Sequence, residues 1–240
     1  GGPPEEPGGV VAFVVLVAPG RIMDICRLTG LADARGACVQ SDIVECPPPS
    51  ASAANSTMSW ADRIYSFPLP GPGPYFCSQG SGGRLTHFAS PSTYHAVDFD
   101  CEPGTPVLAI ADGIVREVSD SENASGVDVR NFFRWNHVTV EHADGSFAEY
   151  VHIAAGSASA VGLRSGMAVR RGQQLCCSGD VGFCPRPHLH LQVQAEAGRS
   201  APSVPFGFAG AIGAAPFCCE EGRWYAPDGC QSPDPAAQGP

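Results

Sequence analysis

Between Trp60 and Ala215 the chain never holds a helical period over three turns; it runs as short β-like segments, each cut by Gly, Pro, Asp or Ser. The segments are VLAIADGIVREV, HVTVEH, SFAEYVHI, MAVRRGQQL and HLHLQVQA. Pieces this short have to pair with one another to satisfy their backbones. Within HVTVEHADGSFAEYVHI, Asp144-Gly145 separates two alternating runs, the signature of a tight hairpin. The fold class expected is all-β, mainly antiparallel, over residues 60–215. A loose echo links GTPVLAIADGIV (104–115) to GMAVRRGQQLCCSGDVG (166–182), each with a Gly before and after its β-run.

The flanks read differently. Residues 47–59, PPPSASAANSTMS, lack hydrophobic period and read as a linker, so residues 1–59 form a Cys-containing extension. Residues 216–240 read as a Cys/Pro-rich tail held by Cys218, Cys219 and Cys230 and frayed beyond them. The nine-residue apolar run Val10–Ala18 is too short to span a bilayer as a helix. Its β-branched content favours a buried strand, with a signal-peptide remnant as the alternative. No membrane span is expected elsewhere.

Fourteen basic against 24 acidic residues give a net charge of -10 with no basic cluster, which excludes a general nucleic-acid binder. Every basic residue is Arg, so Schiff-base, carrier-lysine and phosphate-loop chemistry is excluded. Eleven cysteines with no CxxC pair point to disulfides in an oxidising compartment rather than to a Cys-based zinc site. An odd count leaves one thiol unpaired or bonded to another chain. The expected location is secreted, extracellular or periplasmic. The sequons at Asn55 and Asn123 add a little weight to that.

The chemistry gathers around His188-Leu189-His190. In an alternating strand, residues i and i+2 leave the same face, so both imidazoles point one way and Leu189 and Leu191 the other. His152 closes the hairpin strand, and Asp98 alternates with Val97 and Phe99 in VDFD. A catalytic zinc takes three N/O ligands and keeps a fourth position open. His87, Asp98 and His190 would supply those ligands, leaving His152 and His188 to act on water and substrate.

From Ser78 to Phe208 the chain resembles the lysostaphin/LytM-type zinc endopeptidases. The residues that carry the likeness are SQGSGGRLTHF, HAVDFDCEPGTPVLAIADGIV, HADGSFAEYVHI, the HxH pair in GMAVRRGQQLCCSGDVGFCPRPHLHLQV, and SVPFGF. The resemblance implies a duplicated-hybrid-motif β domain, here between Cys-rich extensions, with a Zn2+ cofactor and hydrolysis of peptide bonds in peptidoglycan cross-links or stem peptides. It also implies His190 as third ligand, with His152 and His188 as the catalytic pair. In many members the first ligand stands four residues before the Asp; here that position is Tyr94. His87 and His95 compete for the role. Members with a longer spacing carry the His in a segment like GGRLTHF, which favours His87, and the odd offset of His95 from Asp98 places it on the opposite face.

Other residues carry weaker expectations. His142 reads as solvated and His137 as a cleft residue, because their offset of five puts them on opposite faces. Tyr150, two before His152, shares its face and either borders the site or fills the core. Trp135, Asn136 and Asp180 are candidates to orient the site. Cys184 is expected to brace its loop through a disulfide to Cys176 or Cys177. Two other functional classes compete. A non-catalytic cell-wall binding or regulatory relative would have lost several of the five residues, and all are present. A cupin-type barrel needs a further His downstream, and none follows His190.

Overall fold

The computed structural model describes residues 59–231, apart from 84, 132, 133 and 199, together with three short strands nearer the N-terminus. The chain divides into two units, residues 1–51 and 52–240. In the first, β1 (Ala12–Val14), β2 (Ile25–Arg27) and β3 (Asp42–Ile43) form an antiparallel sheet in that order. β1 falls within the apolar run Val10–Ala18. The linker read at 47–59 lies outside the described residues except for Ser59.

The second unit holds β4 (Ile64–Tyr65), β5 (Tyr75–Gln79), β6 (Val97–Asp100), β7 (Pro106–Leu108), β8 (Gly113–Ser119), β9 (His137–His142) and β10 (Phe147–Val151). A single helical turn, α1 (Ser157–Ala160), precedes β11 (Ala168–Val169), β12 (Gln174–Cys177), β13 (His188–Gln194), β14 (Gly207–Phe208), β15 (Trp224–Ala226) and β16 (Gly229–Gln231). Nine of these strands make one sheet in the order β11-β8-β9-β10-β13-β6-β5-β15-β16, and every neighbouring pair is antiparallel. Among the described residues, no helix is long and apolar enough to cross a membrane.

Alternation sorts this sheet into two faces. Leu189, Leu191 and Val193 of β13 share a face with Val97 and Phe99 of β6, Ala148 and Tyr150 of β10, and Val138 and Val140 of β9; all are buried. Burying each large apolar side chain contributes about 1.5–3 kcal/mol. Tyr65, Leu69, Val107, Leu175 and Phe208, from outside the sheet, belong to the same buried cluster. Phe67 joins Phe99 and Phe208 at centroid distances of 4.9 and 5.3 Å. With one face committed to the core, the polar residues of β13 and β6 have to face the other way.

The two segments that echo each other in sequence pair with each other. β8 pairs with β11 at the edge of the large sheet, and β7 pairs with β12 in a separate ribbon. At the hairpin between β9 and β10, Gly145 takes φ 81° and the Asp144 carboxylate accepts from the Ser146 N–H. The segment read as a tail is built into the fold: β15 pairs with β5, and Tyr225 is buried against Phe217 in a stacked contact of 5.6 Å. Pairing and aromatic packing hold it there. The cysteines 77, 101, 176, 177, 184, 218 and 219 are all unbridged. The bridge expected from Cys184 to Cys176 or Cys177 is not formed, because Cys176 sits in the apolar core while Cys184 Sγ lies 3.3 Å from His188 Nδ1.

Candidate metal centre

Register places the site. β13 and β6 pair so that His190 lies opposite Asp98 and His188 opposite Asp100, all on the face turned away from the core. His190 Nδ1 reaches Asp98 Oδ1 at 2.9 Å. The third member arrives from the loop between β5 and β6, where a single 3-10 turn, His87–Ala89, carries His87 into full burial. Its Nε2 lies 3.2 Å from the same Oδ1. His95 goes elsewhere: its Nδ1 is 2.8 Å from Ser81 Oγ and its ring contacts Tyr94.

The protons of these rings follow from their other partners. His87 Nδ1 lies 2.9 Å from the Gly80 carbonyl, which can only accept, so the N–H is on Nδ1 and Nε2 carries the lone pair. His190 Nε2 lies 3.0 Å from Gln192 Oε1, and the orientation of that amide is set by Gln192 Nε2 donating to Glu149 Oε2 at 2.8 Å. His190 therefore donates from Nε2 and keeps its lone pair on Nδ1. His87, Asp98 and His190 thus bring ligand atoms within 4.8 Å of one another. Three electron-pair donors at that spacing repel unless protons or a cation stand among them, and an N, N, O set suits a divalent metal. Burial opposes the charge on Asp98, but the neighbouring His87, His188 and His190 outweigh it and hold the carboxyl well below its ordinary range.

His152 reaches the same place by breaking the alternation. Val151 lies opposite His190 and so faces the site, while Tyr150 lies opposite Leu191 and faces the core. The next residue should face the core as well. It does not, because His152 takes φ 62°, the only positive φ outside glycine among the described residues. Its Nδ1–H donates to the Val181 carbonyl at 2.7 Å. Gly179 permits that approach, since a Cβ there would stand 2.8 Å from the Ala154 backbone. The His152 and His188 rings come to 4.6 Å. His188 donates from Nδ1 to the Arg186 carbonyl at 2.8 Å, and its Nε2 lies 3.7 Å from Asp98 Oδ2. Burial and repulsion from His188 push the His152 pKa down to about 3.

Of the two readings for Tyr150, the core one holds: its Oη accepts from the Ile110 N–H at 2.9 Å, and the face inversion at His152 separates the two side chains. Other expectations change. His142 is buried, not solvated, with its ring 5.2 Å from Tyr65 and Nδ1 3.0 Å from Ser146 Oγ. His137 is fully buried, 3.2 Å from Glu117. Of the three orienting candidates, Trp135 lines the cleft beside His152 and His190. Asn136 instead holds the Glu122 and Ile153 carbonyls, and Asp180 accepts from Ser125. The residues that do hold the site, Gln79, Gln192 and Glu149, were not singled out. Gln192 was within reach of the i+2 rule from His190; Gln79 was hidden by a bulge.

Residues 92–202 match Peptidase family M23. The likeness over this stretch is to M23 peptidases. The match takes in Asp98, His152, His188 and His190, and His87 lies five residues before it. Over 99 residues the chain is 31% identical to an uncharacterized metalloprotease of Haemophilus influenzae, covering 41% of this chain and 18% of that protein. Over 101 residues it is 30% identical to the peptidoglycan DD-endopeptidase ShyA of Vibrio cholerae, covering 42% of this chain and 20% of that one. It also aligns with the catalytic domain of lysostaphin from Staphylococcus simulans at 23% identity and a TM-score of 0.37, over 61% of this chain and 90% of that one. The chain spans about a fifth of the length of the first two relatives.

Proposed function

We propose that this M23-like domain is a zinc metalloendopeptidase, secreted to the extracellular or periplasmic space, that cleaves peptide bonds in peptidoglycan cross-links or stem peptides. What carries the proposal is the convergence of His87 Nε2, His190 Nδ1 and Asp98 Oδ1, with His152 and His188 beside them. The donor set fits zinc, because each ring has its other nitrogen tied to an acceptor and Asp98 has its other oxygen tied to Gln79. His87, Asp98 and His190 would hold the ion. Zinc held there would supply Lewis-acid chemistry, lowering the pKa of a coordinated water to roughly 7 and polarising a carbonyl.

The chain's own groups supply the rest. His152 and His188 both carry their N–H on Nδ1, tied to the Val181 and Arg186 carbonyls, so each presents an Nε2 lone pair. With its N–H fixed on Nδ1 by the Val181 carbonyl, His152 offers Nε2 as the acceptor for a proton from the attacking water. The proton is then passed to the departing amine, so water's OH ends on the carbonyl carbon and its hydrogen on nitrogen. His188, once it carries a proton, stabilises the negative oxygen that develops on the carbonyl. The cleft beside these rings is lined by Thr86, Trp135, Val151 and Phe183, which can seat a peptide backbone between apolar walls.

The test is incubation of the zinc-loaded protein with purified peptidoglycan, followed by mass analysis of soluble fragments. New amino termini within the peptide portion are expected, and chelation should abolish them. An intact peptidoglycan in the presence of stoichiometric bound zinc would remove the substrate assignment.

A further inference from the structure

The bond from Gln79 to Asp98 is one of four that this buried amide makes at the proposed metal site. Gln79 is 3% exposed and lies at the end of β5, opposite Asp98. It occupies that position through a β-bulge: Cys77 pairs with Phe99, and then the register shifts so that Gln79, rather than Ser78, meets Asp98. Bulges re-aim side chains in this way. Both ends of its amide are fully used. Oε1 accepts from the Leu85 N–H at 3.1 Å and the Thr86 N–H at 2.8 Å. Nε2 donates to Thr86 Oγ1 at 3.0 Å and to Asp98 Oδ2 at 2.6 Å. An amide has two acceptor lone pairs and two N–H donors, so all four are satisfied, and the flipped orientation would set NH2 against two N–H groups.

We propose that Gln79 is the positioning residue of this centre, one amide that fixes the 85–86 backbone carrying His87 and turns Asp98 so that Oδ1 faces both imidazoles. The need for it lies in this chain's eleven-residue separation of His87 from Asp98. A His four residues from the Asp shares a strand or tight turn with it and is placed by local geometry. A His eleven residues away enters from a loop, and its approach has to be set by a tertiary contact. Gln79 reaches the residue just before His87 and the carboxylate of Asp98 with the two ends of one side chain. The Gly80 carbonyl that receives His87 Nδ1–H is the adjacent residue, so a single point on β5 orients both groups. Gln79 touches neither substrate nor the converging ligand atoms; it acts through His87 and Asp98.

The inference rests on the proposed metal site, so the experiment includes a variant that tests the two separately. Zinc affinity of the full chain is measured by chelator competition, and the visible spectrum of the Co(II)-substituted protein is recorded, for the parent, Gln79→Met, Gln79→Asn and His190→Ala. Met keeps the unbranched shape without the hydrogen bonds; Asn keeps the amide but is one methylene too short to span both ends. The expected result is zinc binding weaker by about 10–100-fold in both Gln79 variants, as for other residues that orient metal ligands, with an altered Co(II) band. A purely structural role would lower the thermal midpoint and leave the affinity and spectrum of the folded protein unchanged, and that result overturns the proposal. Should Gln79→Met fail to fold, Gln79→Asn carries the measurement. Retention of zinc by His190→Ala would instead overturn the metal site itself.

Discussion

Replacing His188 with Ala should separate metal binding from catalysis if the proposed roles hold. Asp98 is contacted by His87, His190 and Gln79 as well as by His188, and the His188 approach is the longest of the four at 3.7 Å. Its removal leaves the converging trio in place, so zinc content should stay near one per chain. The deleted ring takes with it an N–H bonded to the Arg186 carbonyl, a loss of about 1–2 kcal/mol in stability. Turnover should respond far more. A side chain that moves a proton or steadies developing charge contributes about 10²–10⁴ in rate, equivalent to about 2.7–5.4 kcal/mol on the barrier. The assay pairs elemental analysis of zinc with initial rates of fragment release from peptidoglycan. In the proposed mechanism His152, whose ring centroid lies 4.6 Å from that of His188, serves the same reacting groups. The double variant should therefore lose little more than the worse single one, since groups acting as a unit are not additive. Lost zinc would make His188 a ligand. Activity within tenfold of the parent, or losses that multiply in the double variant, would refute the assigned partnership.

His87→Ala should abolish zinc binding while His95→Ala retains it, because only His87 reaches Asp98; zinc content measured by elemental analysis decides between them. Stability should fall as the pH drops below the ordinary histidine pKa of about 6.5, because burial lowers the His142 pKa below that value, so the unfolded chain takes up the proton first. That contribution is complete above the ordinary pKa and drains away below it at up to about 1.4 kcal/mol per pH unit, and urea unfolding of His142→Gln should show a shallower slope. Leu191→Ala, at a fully buried position of β13, should cost about 2–5 kcal/mol in the same assay.

Much of the site follows from local pattern. His188, His190 and Asp98 lie in alternating strands, and a period of two assigns them a face before any partner is known. The hairpin at Asp144-Gly145 and the mainly antiparallel sheet follow from turn chemistry and segment length for the same local reason. The position of His152 does not, because its left-handed backbone inverts the alternation that would have sent it into the core. Nor could alternation show Gln79 at Asp98, since a bulge shifts the register by one residue.

The sequence by itself determined which residue types were available, which of them share a strand face, and that the chain must pair short segments into a sheet. Only the tertiary structure brought His87 rather than His95 beside Asp98, because a loop residue is placed by what it meets, here Asp98 and the Gly80 carbonyl for His87 and Ser81 for His95. It also decided that residues 224–231 belong to the sheet and that Cys184 stands beside His188 instead of bridging Cys176 or Cys177. These are contacts between segments far apart in the chain, and no local periodicity encodes them.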